Sequence, residues 1–458
     1  MKNPLTRARD RLVRISQGPF AYLLVTLHVV IGTILVYQSP RSIFAFLIFL
    51  TSFVSIFALK TKPAFKLALT LILALVVIPV LGMRNIFYLE LMFQMSLFGA
   101  LALGLNIVVG FSGLLDLGYV AFYAVGAYTW AYFGSRQFFY LHTEAGTQTG
   151  TAPFLLPADL FYVFIFIGIL AAAITGILLG LPVLRVRGDY LAVVTLGFGE
   201  VIRVLANNLD RPLNFTNGPH GITPIQRPTI PEFVPDTFNL LFAGLVGKAV
   251  RGVDLYNVYF YLLALASIAI IILVTRRLDD SKIGRAWTAI REDETAAIAM
   301  GIPLVRMKLA AFAAGASFAG AMGVLYASNR TFVSPESFNF LQSIGVLTMV
   351  ILGGMGSIPG VILGAAVVVI LNVQILQGLS LYLAGLRQGD AIVPLINFAW
   401  KDLPTQFDPA KYQRLVFGVI LVIMMIFRPA GLIPAARRQR ELETPDKEGQ
   451  EVVGNGSS

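Results

Sequence analysis

Twelve apolar segments of 17 to 24 residues recur between residues 20 and 428. They cover roughly 20–37, 42–59, 65–82, 86–109, 114–134, 160–182, 190–206, 257–275, 308–327, 338–354, 358–377 and 412–428. A helix needs about 20 apolar residues to cross roughly 30 Å of hydrocarbon. The expected fold is therefore all-α, a polytopic integral membrane bundle with roughly 10–12 transmembrane segments. The shorter segments, and the pair around Gly353–Ser357, are candidates for broken or re-entrant helices. Hydrophobic residues make up 57% of the chain and charged residues 13%. No stretch outside the apolar runs is long enough to bury a sizeable core of its own.

Composition removes several chemistries. The chain has no cysteine, which excludes disulfides, thiolate catalysis and Cys-ligated metals. His28, His142 and His220 are far apart in sequence, and no pair has metal-ligand spacing. The net charge of +10 follows membrane topology rather than a nucleic-acid footprint. With the N-terminus inside and twelve crossings, the inner segments and their edges hold 22 of the 35 Lys and Arg residues. The other basic residues are spread over much longer outer loops or lie near outer helix ends. This asymmetry places both termini in the cytoplasm. The basic stretch Met1–Gln17 runs into an apolar segment of spanning length without a clear cleavage site, so it reads as a first anchor. Three domains are expected. Residues 1–85 form an N-terminal cytoplasmic segment and extra transmembrane helices, 86–428 a core, and 429–458 a disordered cytoplasmic tail. The outer loops 135–159, 207–256 and 378–411 read as irregular structure.

Small residues recur at four-residue spacing in two segments: Gly168, Ala172, Gly176 and Gly180, then Gly315, Ala319 and Gly323 beside Ala316 and Gly320. Lipid gives no hydrophobic drive for helix association, so such faces predict close backbone packing. Gly104–Gly118 sets Asn106, Ser112 and Asp116 among glycines. It reads either as broken helix lining a cavity or as a short inner turn. Glu200 and Arg203 lie three apart in an apolar helix, so they share a face and pair, with a structural role or a place in the pathway. Asn207 follows near the outer end, either meeting a substrate backbone or capping the helix. Leu352–Gly360 has four glycines and a proline in nine residues and makes a tight bend. No G-x-x-x-x-G-K-[ST] phosphate loop occurs in the chain, so if its function uses ATP, another subunit does the chemistry.

Ser281–Lys308 is a dense charged island between apolar runs. Ser281 is placed to cap a helix through Gly284–Arg291. Asp293 is placed to cap a second over Glu294–Met300, with Gly301 at its end and Pro303 just past it. The apolar residues Ile290, Ala297, Ile298 and Met300 then sit among charges. They present a surface that lies in a groove of a partner or rests on lipid headgroups.

Four stretches carry a family resemblance: Gly104–Ala131, Leu184–Asn208, Ile283–Lys308 and Phe332–Gly356. Together they resemble the bacterial branched-chain amino acid ABC transporter permeases, specifically the larger M-type subunit, over roughly residues 86–377. The first 85 residues resemble the extra N-terminal spans of some M-type subunits. Residues 378–411 fit the pattern less well. The resemblance implies a pairing with an H-type permease in the bacterial inner membrane. It implies two cytoplasmic ATPase subunits that bind ATP and magnesium, and a periplasmic substrate-binding protein. This chain would carry no cofactor and no catalytic residue. The cytoplasmic coupling loop at 276–307 would couple to the ATPases through Gly284, Arg285, Ile290, Arg291, Glu294, Ala296, Ala297 and Gly301. The pathway candidates are Asn106, Ser112, Asp116, Glu200 and Asn207. The expected substrate is a branched-chain or other neutral amino acid, with urea or a short-chain amide as the alternative. An ion-coupled carrier using Glu200 or Asp116 is the competing class. A membrane enzyme lacks any His, Cys or Ser constellation with catalytic spacing.

Overall fold

A computed structural model describes residues 19–39, 42–59, 61–140, 154–183, 189–232, 234–237, 239, 252–388, 392–393, 398–399 and 404–435. Among these residues, ten helices are long and apolar enough to cross a membrane. Arg185 and Arg187, two of the inner basic residues, lie outside the described set, as does His142.

The chain divides into two compact units. The first comprises residues 1–93, 230–263 and 373–381. It holds α1 (Pro19–Gln38), α2 (Ile43–Ala58) and α3 (Pro63–Arg84). Ser42 starts α2 by accepting the Ala45 N–H at 3.3 Å. Phe46 of α2 stacks on Tyr88, with centroids 4.4 Å apart. A π turn over Leu73–Val77 interrupts α3, and the Tyr261 hydroxyl donates to the Ala74 carbonyl there at 2.8 Å. The described part of α2 that is continuously apolar is Phe44–Phe57, short of spanning length.

The second unit comprises residues 94–229, 264–372 and 382–458. Its elements are most of α4 (Ile86–Phe111), α5 (Val120–Phe133), α6 (Phe161–Val183), α7 (Asp189–Asn208) and the later part of α8 (Val253–Asp280). Then follow α9 (Lys282–Glu292), α10 (Glu294–Ala299), α11 (Leu304–Arg330), α12 (Phe340–Gly353), the parts of α13 (Ile358–Arg387) outside 373–381, and α14 (Gln413–Phe427). The small-residue faces do what their spacing predicts. A Cβ on Gly320 of α11 would overlap the Gly168 carbonyl of α6, and one on Gly126 of α5 would overlap the Gly320 carbonyl. Gly176 packs its Cα side on Ala316 Cβ, which a new Cβ would meet at 2.9 Å. Three helix backbones thus touch directly.

Two expected spans do not form helices of spanning length. One is α2; the other is α5. At 1.5 Å per residue the 14 residues of α5 cover about 21 Å, below the hydrocarbon thickness. The missing turns are unwound over residues 113–119. Gly113 adopts φ +72°, and the Leu117 N–H donates to Thr195 Oγ1 of α7 at 3.0 Å instead of to a helical carbonyl. In contrast, α13 outlasts its predicted segment and runs to Arg387 through a π turn at Ile370–Leu376.

The expected irregular outer loops are partly pinned. The Gln137 side chain donates to Asn214 O and Oδ1 at 2.6 and 2.7 Å. Isolated bridges join Ser135 to Ile225 and Ile222 to Val333. Ile392–Val393 and Phe398–Ala399 form a two-residue antiparallel pair. Residues 429–435, placed by sequence in the tail, are folded: Leu432 and Ile433 N–H groups donate to Leu352 and Gly353 carbonyls at 2.9 and 3.0 Å. The rest of the tail lies outside the described residues.

The packing predicts that Gly320→Leu will sharply lower the amount of folded protein in the membrane, because overpacking at a backbone contact costs about 1–3 kcal/mol or more. Gly197→Leu is the control, since a Cβ there meets nothing within 4 Å. Quantified membrane yield of both variants checks this. Equal yields would contradict the three-helix contact.

Candidate coupling surface and transmembrane cleft

The charged island folds as its caps predict. Ser281 Oγ accepts the Ile283 and Gly284 N–H groups at 3.1 and 3.2 Å, starting α9. Asp293 Oδ1 accepts the Thr295 and Ala296 N–H groups at 2.7 and 3.0 Å, starting α10. Gly301 ends the hairpin at φ +80°, where a side chain would be strained. Trp287, 1% exposed, donates Nε1–H to the Met307 carbonyl at 2.7 Å and fixes α9 to the start of α11. Glu294 pairs with the buried Lys308 ammonium. Arg291 Nη1 donates to the Gly110 carbonyl at 2.6 Å.

These anchors divide the sequence-predicted coupling residues between two faces. Gly284, Ile290 and Ala297 are buried against the protein. A Cβ on Gly284 would overlap the Leu278 and Asp279 carbonyls. The expectation that Ile290 and Ala297 present themselves to a partner is therefore corrected: both serve to seat the hairpin. Arg291 and Glu294 are half-buried and engaged inward. Arg285, Ala296 and Gly301 are exposed, beside Ile298 and Met300, which is 83% exposed. Arg285 Nη1 donates to the Asp280 carbonyl at 2.9 Å.

The pathway candidates also separate. Asn106, Ser112 and Asp116 are all buried. Asn106 Oδ1 accepts the Gly356 N–H at 2.8 Å, and Ser112 Oγ donates to the Val108 carbonyl at 2.7 Å. Asp116 Oδ1 accepts the Gly118 N–H at 2.9 Å. Asn207 caps its own helix, donating to the Arg203 carbonyl at 3.2 Å. Glu200 stands apart from these. It lines a small cleft with Leu117, Gly199, Asn339 and Ser343. Two helices begin at this cleft. Ser343 Oγ accepts the Val120 N–H of α5 at 3.2 Å, and Asn339 Oδ1 accepts the Gln342 N–H of α12 at 3.1 Å.

The expected Glu200–Arg203 pair is present, with Arg203 Nε 2.8 Å from Glu200 Oε2. It is not sunk in the bundle: the two side chains are 35% and 26% exposed, respectively. Arg203 also reaches Glu336 Oε1 at 2.9 Å. Glu336 was missed from sequence, since 133 residues separate it from Arg203. The Asn339 cap was also missed, although an Asn directly before an apolar helical run is a start signal.

A family described as "Branched-chain amino acid transport system / permease component" matches residues 87–425. The chain belongs to this permease family. It is similar to the high-affinity branched-chain amino acid transport system permease protein LivM of Salmonella typhimurium, 39% identical over 362 residues, covering 77% of this chain and 71% of that one. The LivM protein of Escherichia coli is 40% identical over the same shares. A probable LivM of Methanocaldococcus jannaschii is 24% identical over 74% of this chain and 91% of its own. The permease protein LivH of Escherichia coli is 26% identical over 33% of this chain. No solved structure matches. In this permease the cleft and the α9/α10 hairpin both fall inside the matched residues, whereas α1, α2 and α3 precede them. As a transport permease it spans the membrane several times, and the family is not one of enzymes.

Two predictions follow from these faces. Ala297→Asp buries an unpaired charge, which costs several kcal/mol, so membrane yield falls; Met300→Asp, at an exposed position, keeps the yield and weakens attachment of any partner seated on that tip. Membrane yield and co-purification read the two effects separately. For the ion cluster, Glu200→Ala leaves Arg203 paired with Glu336 and lowers yield less than twofold. The double variant Glu200→Ala, Glu336→Ala lowers it at least fivefold. Equal yields for single and double variants would contradict a shared role.

Proposed function

We propose that this chain is the M-type permease subunit of an ATP-driven importer for branched-chain or other amino acids with uncharged side chains. It pairs with an H-type permease in the bacterial inner membrane, with both termini cytoplasmic. Two ATP-binding subunits with ATP and magnesium dock on the α9/α10 hairpin, and a periplasmic binding protein delivers substrate to the opposite face. The observation that carries this reading is the hairpin itself. A doubly capped, inward-anchored pair of short helices between two spanning helices, with Ile298 and Met300 exposed at its tip, is built to receive a partner.

The cleft supports the substrate class. The N-termini of α5 and α12 both open on it, and a helix N-terminus carries partial positive charge that favours a carboxylate. Glu200 on the cleft wall supplies the opposite sign for an ammonium group. A zwitterion with an uncharged side chain matches that pattern. The pathway role therefore centres on Glu200, with Leu117 beside it; Asn106, Ser112 and Asn207 tie backbone segments together. The 86–428 core carries transport, and the helices before it are an N-terminal addition.

The test is uptake of radiolabelled leucine into vesicles holding the full complex. Uptake is expected only with ATP inside and functional ATP-binding subunits, and it survives collapse of the proton gradient. Uptake by the chain alone that vanishes with the proton gradient would replace this reading with an ion-coupled carrier.

A further inference from the structure

The cytoplasmic hairpin has an inward-facing feature that docking does not require. Arg291 stands in the last turn of α9, half-buried, with Nη1 2.6 Å from the Gly110 carbonyl. Gly110 lies in the π turn Ile107–Phe111 that closes α4. A helix leaves its last carbonyls without an intrahelical donor, and they carry partial negative charge. The guanidinium supplies both a donor and a cation at that end. The site is fitted around it: Gly113 is at φ +72°, and a Cβ there would come within 2.7 Å of Arg291 Cγ.

Gly110 also joins a second element. A Cβ on Gly110 would overlap Asn106 Oδ1 and lie 2.6 Å from the Gly356 nitrogen. Asn106 Oδ1 accepts the Gly356 N–H at 2.8 Å. A Cβ on Gly356 would lie 3.6 Å from both Arg291 Nη1 and the Gly110 oxygen. One guanidinium therefore sits where the end of α4 meets the turn between α12 and α13. Both α4 and α12 lead on to the segments around the cleft: α4 through residues 113–119, α12 at its own start.

We propose that Arg291 is a positioning residue for transport, the link that passes displacement of the docked α9/α10 hairpin into α4 and the α12–α13 turn. This rests on the reading that the hairpin docks on ATP-binding subunits. Trp287 and Glu294 hold the hairpin to α11; Arg291 holds it to the end of α4, beside the α12–α13 turn. A π turn suits that task, because such turns occur frequently at functional sites. The planar fork of Arg is what reaches one carbonyl while covering a neighbouring backbone; Lys keeps the charge but offers a point donor.

The experiment uses the full complex in vesicles, measuring leucine uptake, ATP hydrolysis and co-purification of the ATP-binding subunits. Arg291→Met is expected to keep the subunits bound and hydrolysis within about twofold, while leucine moved per ATP falls at least tenfold. Arg291→Lys is expected to fall about threefold. An unchanged ratio in Arg291→Met overturns the proposal. So does loss of the bound subunits, which would place Arg291 on the docking surface. If Arg291→Met does not accumulate, Arg291→Lys decides: a lowered ratio with subunits bound supports the link, and a parent-like ratio overturns it. Failure of the parent complex itself to couple uptake to ATP overturns the underlying reading, and is seen without any variant.

Discussion

Direct backbone contact among α5, α6 and α11 is the constraint on which the second unit depends. Lipid tails are as apolar as leucine, so burying Leu against Leu gains little inside a membrane. Association must come from van der Waals contact at short range, and glycine permits it. The overlaps that a Cβ would create at Gly126, Gly168 and Gly320 show how completely the faces have used that allowance. With these helices fixed, α11 becomes a rigid post. It holds Met307 and Lys308, the anchors of the α9/α10 hairpin, and Gly315, whose carbonyl accepts the Tyr119 hydroxyl at 2.9 Å. Tyr119 in turn stands at the threshold of α5. One helix thus supports both the α9/α10 hairpin and the segment next to the cleft.

Irregular backbone appears where this scaffold gives it partners. Residues 113–119 leave the helical ladder between α4 and α5, and the freed groups find Thr195 and Asp116. Unwound chain at membrane depth is tolerated only when it is enclosed by protein or lines a cavity. The tight approach of Gly118 to the Thr195 carbonyl, which a Cβ would overlap, provides that enclosure. The neighbouring cleft then inherits two helix starts and one carboxylate, an arrangement of charge rather than a deep cavity.

Much of this was readable in the sequence for local reasons. Spanning helices are written in long apolar runs. The starts of α9 and α10 are written in Ser281 and Asp293, because a cap acts within three residues of itself. Small-residue faces on α6 and α11 survive as a four-residue repeat. What sequence hid depends on distance along the chain or on short length. Arg291 and Gly110 are 181 residues apart, and nothing local marks the carbonyl as a partner. Ala297 reads as outward because α10 has six residues, under two turns, too few to show which face is buried. The expected segment stops at Gln377 because Gln377, Gly378 and Ser380 interrupt the apolar run, whereas the helix continues to Arg387.

The central claim is that the exposed tip of the α9/α10 hairpin is where ATP-driven force enters this permease. Because the chain has no cysteine, a single one at Met300, 83% exposed, reports on that tip alone. The decisive measurement is cross-linking of Met300→Cys to cysteines placed along the groove of the ATP-binding subunits, with and without ATP. The account predicts an efficient cross-link whose groove position shifts when ATP binds. The absence of any cross-link, in a complex that still transports, would contradict it.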